Sequence, residues 1–154
     1  MTVSDLLADL GRFVSVPLSF DERGLCVLVC DDRLKVEIAN IDAASTVLLT
    51  AALTDGAALD PAAIHAFALT YAHDLQRTRG AAISIDPGAG GRVELQAMRR
   101  AEDLDPERFH RFVGDFIAAA REARAAFATA GQTAGQPGPG SPLEPADGAF
   151  ILRL

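Results

Sequence analysis

Residues 24–40, GLCVLVCDDRLKVEIAN, constrain the fold of this 154-residue chain more than any other stretch. They read as a β-hairpin whose first arm, LCVLVC, is apolar at every position. An antiparallel strand with one face in solvent normally alternates apolar and polar residues, so this strand needs a cover on both faces. The sequence therefore predicts that helices of the chain cover one face, and that either a further helix or a partner covers the other.

A two-residue turn at Asp31-Asp32 sets the predicted register of this hairpin. In that register the core face carries six apolar residues: Leu25, Val27, Val29, Leu34, Val36 and Ile38. The opposite face carries Cys26, Leu28 and Cys30 beside the charged residues of the second arm. These three apolar side chains are the ones that the second cover has to hide.

Three helices are predicted around the hairpin. Residues 3–14 place apolar residues at helical spacing. The other two helices follow the tripeptide Leu-Asp-Pro at 59–61 and 104–106, where Asp is the N-cap and Pro fits the first turn. We expect them to end near Gln76 and Thr129.

The two later helices differ in their apolar faces. The last helix carries a stripe of phenylalanines at the 3.6-residue period, which is typical of a helix that lies on a sheet. The middle helix is predicted to bury one stripe against the core: Ile64, Phe67, Ala68, Tyr71 and Leu75. A second ridge beside it suits contact with another subunit: Ala62, Ala66, Leu69 and Ala72.

Three further strands complete the predicted sheet. Residues 45–53 turn Leu49 and its alternate neighbours to the core and place Leu48 on the face predicted for Leu28. Residues 80–86 and 91–99 form a second hairpin with these residues inward: Ile83, Ile85, Val93 and Leu95. The predicted fold class is α+β, in the order α-βββ-α-ββ-α, with a twisted antiparallel five-stranded sheet packed by helices.

The end of the chain differs in composition from the rest. Residues 130–148 are mostly Gly, Pro and small polar residues, which predicts a disordered tail. We therefore divide the chain into a domain at 1–129 and a flexible tail at 130–154. The tail ends in AFILRL, which either frays or forms a short strand that docks on this protein or on a second copy.

Charge and hydropathy exclude several classes of partner. The formal net charge of −7 repels the phosphates of nucleic acids. No apolar run approaches the ~18 residues of a membrane span, and the N-terminus lacks a basic signal region, so we expect a cytoplasmic protein without membrane insertion. Cys26 and Cys30 are four residues apart on a strand, roughly 13 Å, which is too far for an intrachain disulfide.

The sequence offers little for catalysis. His65 and His73 lie about 12 Å apart on one helix and cannot share a metal. The glycines at 88–91 join two strands, so they form a turn rather than a phosphate loop. We predict a binding protein, not an enzyme, with no catalytic residues, no metal and no cofactor.

The chain resembles the type III secretion effector chaperones of the Tir-chaperone (CesT-like) family. Residues 3–128 carry the resemblance through an ordered set of motifs: the LLADLG helix, the DERGLCVLVCD strand, the RLKVEI strand, the Leu-Asp-Pro before the last helix and the aromatic stripe of that helix. The resemblance implies a bacterial homodimer that holds the N-terminal segment of a secreted effector extended, without ATP, with a short effector strand added to a sheet. The tail from Ala130 departs from this pattern.

The resemblance also suggests where partners bind. The effector-binding residues implied are Leu6, Leu10 and Phe13 of the first helix and Cys26, Leu28, Cys30 and Leu48 of the sheet. The dimer interface implied is Ala66, Leu69, Ala72 and Ile83. Two other functions remain open, a chaperone-like adaptor unrelated to secretion and a small enzyme with a deep polar pocket.

Overall fold

The computed structural model describes residues 2–30, 33–41, 45–54, 61–134 and 149–152. The elements in chain order are α1 (Val3–Phe13), β1 (Leu25–Cys30), β2 (Lys35–Ile41), β3 (Thr46–Ala52), α2 (Pro61–Ala72), α3 (Leu75–Thr78), β4 (Ala82–Asp86), β5 (Arg92–Arg100), α4 (Pro106–Ala134) and β6 (Ala149–Leu152). This confirms the predicted order and adds two short elements, α3 and β6. The predicted Asp60 cap and the sequence at 135–148 lie outside the described residues.

The sheet has the strand order β4-β5-β3-β2-β1-β6. Its first five strands pair antiparallel throughout, as the sequence predicts. The sixth strand, β6, pairs parallel with β1 at the edge of the sheet. Residues Ala149–Leu152 of the apolar end therefore form a strand in this structure.

The predicted register of the first hairpin is wrong by one residue. Leu28 pairs with Val36 rather than with Lys35. The backbone N–H of Cys30 donates to the carbonyl oxygen of Leu34 over 2.9 Å, so three residues rather than two separate the closing pair. The third of them, Arg33, has a φ of 61°, the left-handed conformation that ends a three-residue hairpin loop.

This shift exchanges the two faces of β1, because neighbouring residues of a strand point to opposite sides. The core face, predicted to hold Leu25, instead carries these buried residues of the hairpin: Cys26, Leu28, Cys30, Leu34, Val36 and Ile38. Strand β3 is as predicted, since Val47, Leu49 and Ala51 are buried on the same face. The buried residues of α1, α2 and α4 belong to the same hydrophobic cluster, so the helices cover this face.

Local signals explain where the helices begin. Thr2 caps α1 through a capping box, in which its hydroxyl accepts from the N–H of Asp5 and the Asp5 carboxylate accepts from the N–H of Thr2. Asp105 caps α4 by accepting from the N–H of Arg108 over 2.8 Å. The α4 helix runs to Ala134, five residues beyond the predicted end near Thr129.

The prediction that Leu75 is buried in the middle helix is wrong. The α2 helix ends at Ala72, and Asp74 caps the separate turn of α3 by accepting from the N–H groups of Gln76 and Arg77. The break rotates Leu75 away from the core, and its side chain is 69% exposed. Within α2 itself, Ile64, Ala68 and Tyr71 are buried as predicted.

Gly11 of α1 lies against the segment that leads into the sheet. A Cβ atom there would lie 2.7 Å from the carbonyl oxygen of Val16 and 2.9 Å from the backbone nitrogen of Leu18. Both neighbours are backbone atoms, which cannot move aside as the end of a side chain can. The close approach therefore depends on glycine at this position.

We predict that Gly11→Ala lowers the free energy of unfolding by about 1–3 kcal/mol, the usual cost of overpacking. The control is Gly114→Ala on α4, where a Cβ meets nothing within 4 Å. That change should raise the free energy of unfolding by up to about 1 kcal/mol through helix propensity. Urea unfolding followed by circular dichroism measures both, and equal stability of the two variants would contradict the packing described.

Candidate functional site

The side of the sheet opposite the core face is the outer face. All strand residues that register places on it are half-buried or exposed, with Glu94 the one buried exception among the described residues. Strand β1 contributes Leu25, Val27 and Val29 to this face, and all three are half-buried. Strand β1 is therefore apolar on both faces, as predicted, but the face that packs against the core is the opposite one to that predicted.

The sheet residues predicted to bind a partner separate into two groups. The prediction that Cys26, Leu28 and Cys30 lie on the partner-facing side is wrong, because each is at most 2% exposed within the core. The three-residue hairpin loop is the physical reason, since it turns these side chains inward. Leu48 lies on the outer face as predicted and is half-buried.

The residues predicted on α1 separate in the same way. Leu6 and Leu10 are buried in the core, so neither is available at the surface. Phe13 is 71% exposed, and its ring lies 4.8 Å from that of His110 on α4. Phe13 therefore lies in the helical layer and not on the same surface as Leu48.

An apolar row crosses four strands of the outer face. Register places Leu25 opposite Ala39, Ala39 opposite Leu48, and Leu48 opposite Met98. Met98 is 58% exposed, a large value for an apolar side chain in a strand. We call Leu25, Ala39, Leu48 and Met98 the outer apolar row.

Polar residues flank the outer apolar row. Lys35 and Glu37 of β2 are exposed and lie opposite Val29 and Val27. Farther along the sheet, the buried Glu94 carboxylate accepts two hydrogen bonds from Arg92, at 2.9 and 2.6 Å. This charge is paired within the chain, so the outer face offers a partner one apolar row that lies between polar and charged residues.

The residues predicted for a dimer interface lie on α2 and β4. Leu69 is 74% exposed, Ala66 is exposed, and Ala72 and Ile83 are half-buried. No residue of α2 is Asp, Glu, Lys or Arg. The opposite side of α2 is held to the core, where the rings of Phe67 and Phe127 meet edge to face at 4.9 Å.

Cys26, His65 and His110 are titratable groups that lie against other residues of the chain. Burial, and to a lesser extent the Asp21 carboxylate, raises the pKa of the Cys26 thiol to about 11, so this thiol is protonated and a poor nucleophile at neutral pH. His110 lies 3.1 Å from the Asp9 carboxylate, and His65 lies against Gly91. In the described part of the chain, no three His, Cys, Asp or Glu side chains form a possible metal site.

Sequence reasoning missed Leu25, Val27, Val29 and Met98 as surface residues. A two-residue turn predicts the first three on the core face, whereas the observed three-residue loop places them on the outer face. Met98 could have been found by alternation, because it lies three residues after the inward Leu95 and so points outward.

Among the described helices, none has the length and apolar character that a membrane span requires.

Known proteins of similar fold include three solved structures. A chain of the ExsC–ExsE complex has a TM-score of 0.67 and 21% identity, covering 82% of this chain and 97% of its own. A chain of the HopA1–SchA chaperone–effector complex has a TM-score of 0.61 and 21% identity, covering 79% and 91%. A chain of the heterodimeric ExoU–SpcU complex, from the type III secretion system of Pseudomonas aeruginosa, has a TM-score of 0.61 and 14% identity, covering 85% and 98%.

These likenesses show that the fold is that of chains found in such complexes. A comparison with curated proteins finds no match. The family model described as the Tir chaperone protein (CesT) family matches residues 5–124, which is most of the described domain and includes every element from β1 to β5. The chain therefore belongs to the CesT family of Tir chaperone proteins.

Proposed function

We propose that this protein is a type III secretion chaperone, which binds the N-terminal segment of a secreted effector as a homodimer and keeps it extended. One observation carries the proposal: β1 is apolar on both faces, and its outer-face residues are only half-buried in the single chain. On that side Leu25, Val27 and Val29 are half-buried beside the exposed Lys35 and Glu37. A partner that buries these three side chains would account for their apolar character.

An extended and otherwise disordered segment is the partner that this surface suits. The outer apolar row runs across four strands, so it can contact a chain that lies over it. Full burial of a large apolar side chain contributes roughly 1.5–3 kcal/mol, and the residues of this row, which are already partly buried, would each add a part of that. Several such contacts offset the ordering entropy of a disordered client.

The comparisons support the same proposal. The chain belongs to a family of chaperones. One of the similar structures is described as a chaperone–effector complex and another as part of a type III secretion system. Binding of this kind requires no catalytic group or cofactor, and it would take place in the bacterial cytoplasm before secretion.

For the homodimer, we propose α2 and the adjacent β4 as the interface. A helix without charged residues that leaves Leu69 in solvent is unusual for a surface helix, and a partner helix would explain it. Ile85 of β4 is 39% exposed and extends the same apolar area toward Ile83. The net charge of −7 keeps a protein with such surfaces soluble.

The double variant Val27→Asp/Leu48→Asp tests client binding, because it places two charges on the outer face without entering the core. Tagged wild-type protein expressed in its native bacterium should retain a secreted protein, and the N-terminal segment of that protein should suffice for binding. The variant should lose at least tenfold in affinity by titration calorimetry. It should lose no more than about 2 kcal/mol of stability.

The matched control is Ala125→Asp/Ala128→Asp, which adds the same charge at exposed positions of α4 and should bind normally. A partner that binds as a folded domain, and not through an extended segment, would instead indicate the adaptor function. Equal binding by both double variants would contradict the outer face as the client site.

Leu69→Asp tests the dimer interface, since a charge at the centre of the uncharged helix should prevent self-association. Light scattering at micromolar concentration should give a dimer for the wild type and a monomer for this variant. Met98→Asp, a similar change on the outer face, should remain a dimer. A wild-type monomer, or a dimeric Leu69→Asp variant, would contradict the proposed interface.

A further inference from the structure

The end of the chain lies on the strand that carries the proposed client surface. Strand β6 pairs parallel with β1, with Ala149 opposite Val27 and Leu152 opposite Cys30. Without β6, β1 would be the edge strand of the five-stranded antiparallel sheet, because its other side pairs with β2. A short segment from the chain's own tail therefore covers that edge.

An edge strand is a template for an added strand, because its outward N–H and C=O groups lack partners. Peptide recognition by strand addition uses those groups for affinity and the side chains beside them for specificity. In β1 the two features coincide, since the same residues that pair with β6 place Val27 and Val29 on the outer face. A client that adds a strand here would need the position that β6 occupies.

The β6 pairing has the features of a replaceable cover. It is four residues long, and it is parallel where the other pairs of the sheet are antiparallel, which is the slightly less stable arrangement per residue. Its register begins at Val27. Leu25, two residues earlier, is bonded instead to Asp21, whose N–H donates to the Leu25 carbonyl oxygen and whose carboxylate accepts from the Leu25 N–H, both over 2.9 Å. Strand β6 thus covers only the part of the edge from Val27 to Cys30.

We propose that β6 is a built-in competitor of the client: it closes the β1 edge in the free protein and must leave when an extended client adds its own strand. This inference rests on the proposed function. Fourteen residues, 135–148, join α4 to β6, so the competing strand is present at an effective concentration on the order of millimolar. The apparent affinity of the edge for a client is its intrinsic affinity multiplied by the fraction of molecules in which β6 is not docked.

This competition favours particular partners. A peptide that offers only main-chain hydrogen bonds has to compete with β6, which belongs to the same chain and makes the same bonds. A client that also contacts the outer apolar row gains contacts outside the pairing that β6 makes with Val27–Cys30. The tail therefore protects the edge from unspecific strand addition and selects clients that bind both the edge and the outer face.

The test uses the full-length chain and a fluorescent octapeptide of residues 147–154, DGAFILRL, as the probe. The variant Phe150→Pro/Ile151→Pro removes two N–H donors from β6 and disfavours its pairing. The control, Ser141→Pro/Ala146→Pro, adds the same residues before the strand. Fluorescence anisotropy should give the β6 variant an affinity for the probe at least tenfold higher than that of the wild type or the control.

Amide hydrogen exchange gives an independent measurement on the same proteins. The amides of Val27–Cys30 that face the edge should exchange faster in the β6 variant than in the wild type or the control. Equal probe affinities, binding to none of the proteins, or equal exchange rates would overturn the proposal. Protection that rises with protein concentration would assign the strand to a second copy and would also overturn it.

The effector segment obtained by co-purification separates this inference from the proposed function. A segment that binds the β6 variant at least fivefold more tightly than the wild type supports both. A segment that binds both proteins equally leaves the chaperone function standing and overturns the competition. Probe binding that behaves as expected while no effector segment binds would support the competition and contradict the chaperone function.

Discussion

The structure depends on one constraint, the need of β1 for apolar contacts on both of its faces. On the inner side, Leu28 and its alternate neighbours are buried in the hydrophobic cluster that also holds the buried residues of the helices. On the outer side, Leu25, Val27 and Val29 stay half-buried beside the charged residues of β2. A strand of this kind is costly to leave uncovered at the edge of a sheet. The docked tail covers its edge, and the proposed client would cover its outer face.

The two proposed binding surfaces are separated in the fold. The β1 edge lies at one end of the sheet and β4, beside α2, lies at the other end, while the outer face lies on the side of the sheet opposite the helices. Dimerisation through α2 would therefore leave the client surfaces of both copies open. Because the outer apolar row reaches β5 through Met98, a client could cross most of one sheet before it meets the second copy.

Most of the fold follows from the sequence, because apolar periodicity fixes which segments are helices and strands. The Leu-Asp-Pro signal placed the start of α4, and the alternation of residues 45–53 placed Leu48 on the correct face. The register of the first hairpin could not be predicted in this way. LCVLVC is apolar at every position, so the pattern does not distinguish its two faces, and the length of one turn decided the result. The end of α2 depends on Asp74, which caps a new turn where periodicity alone would continue the helix. The tail could not be placed either, because four apolar residues specify a strand but not its neighbour.

The central claim is that a client covers the outer face of β1 and leaves the inner face unchanged. Methyl NMR with a soluble paramagnetic agent measures this directly in the free protein and in the client complex. In the free protein, the methyl groups of Leu25, Val27, Val29 and Leu48 should be strongly relaxed by the agent, and those of Leu28 and Val36 should not. Client binding should shield only the methyl groups of Leu25, Val27, Val29 and Leu48 from the agent. Outer-face methyl groups that are shielded without client, or that remain exposed in the complex, would contradict the account.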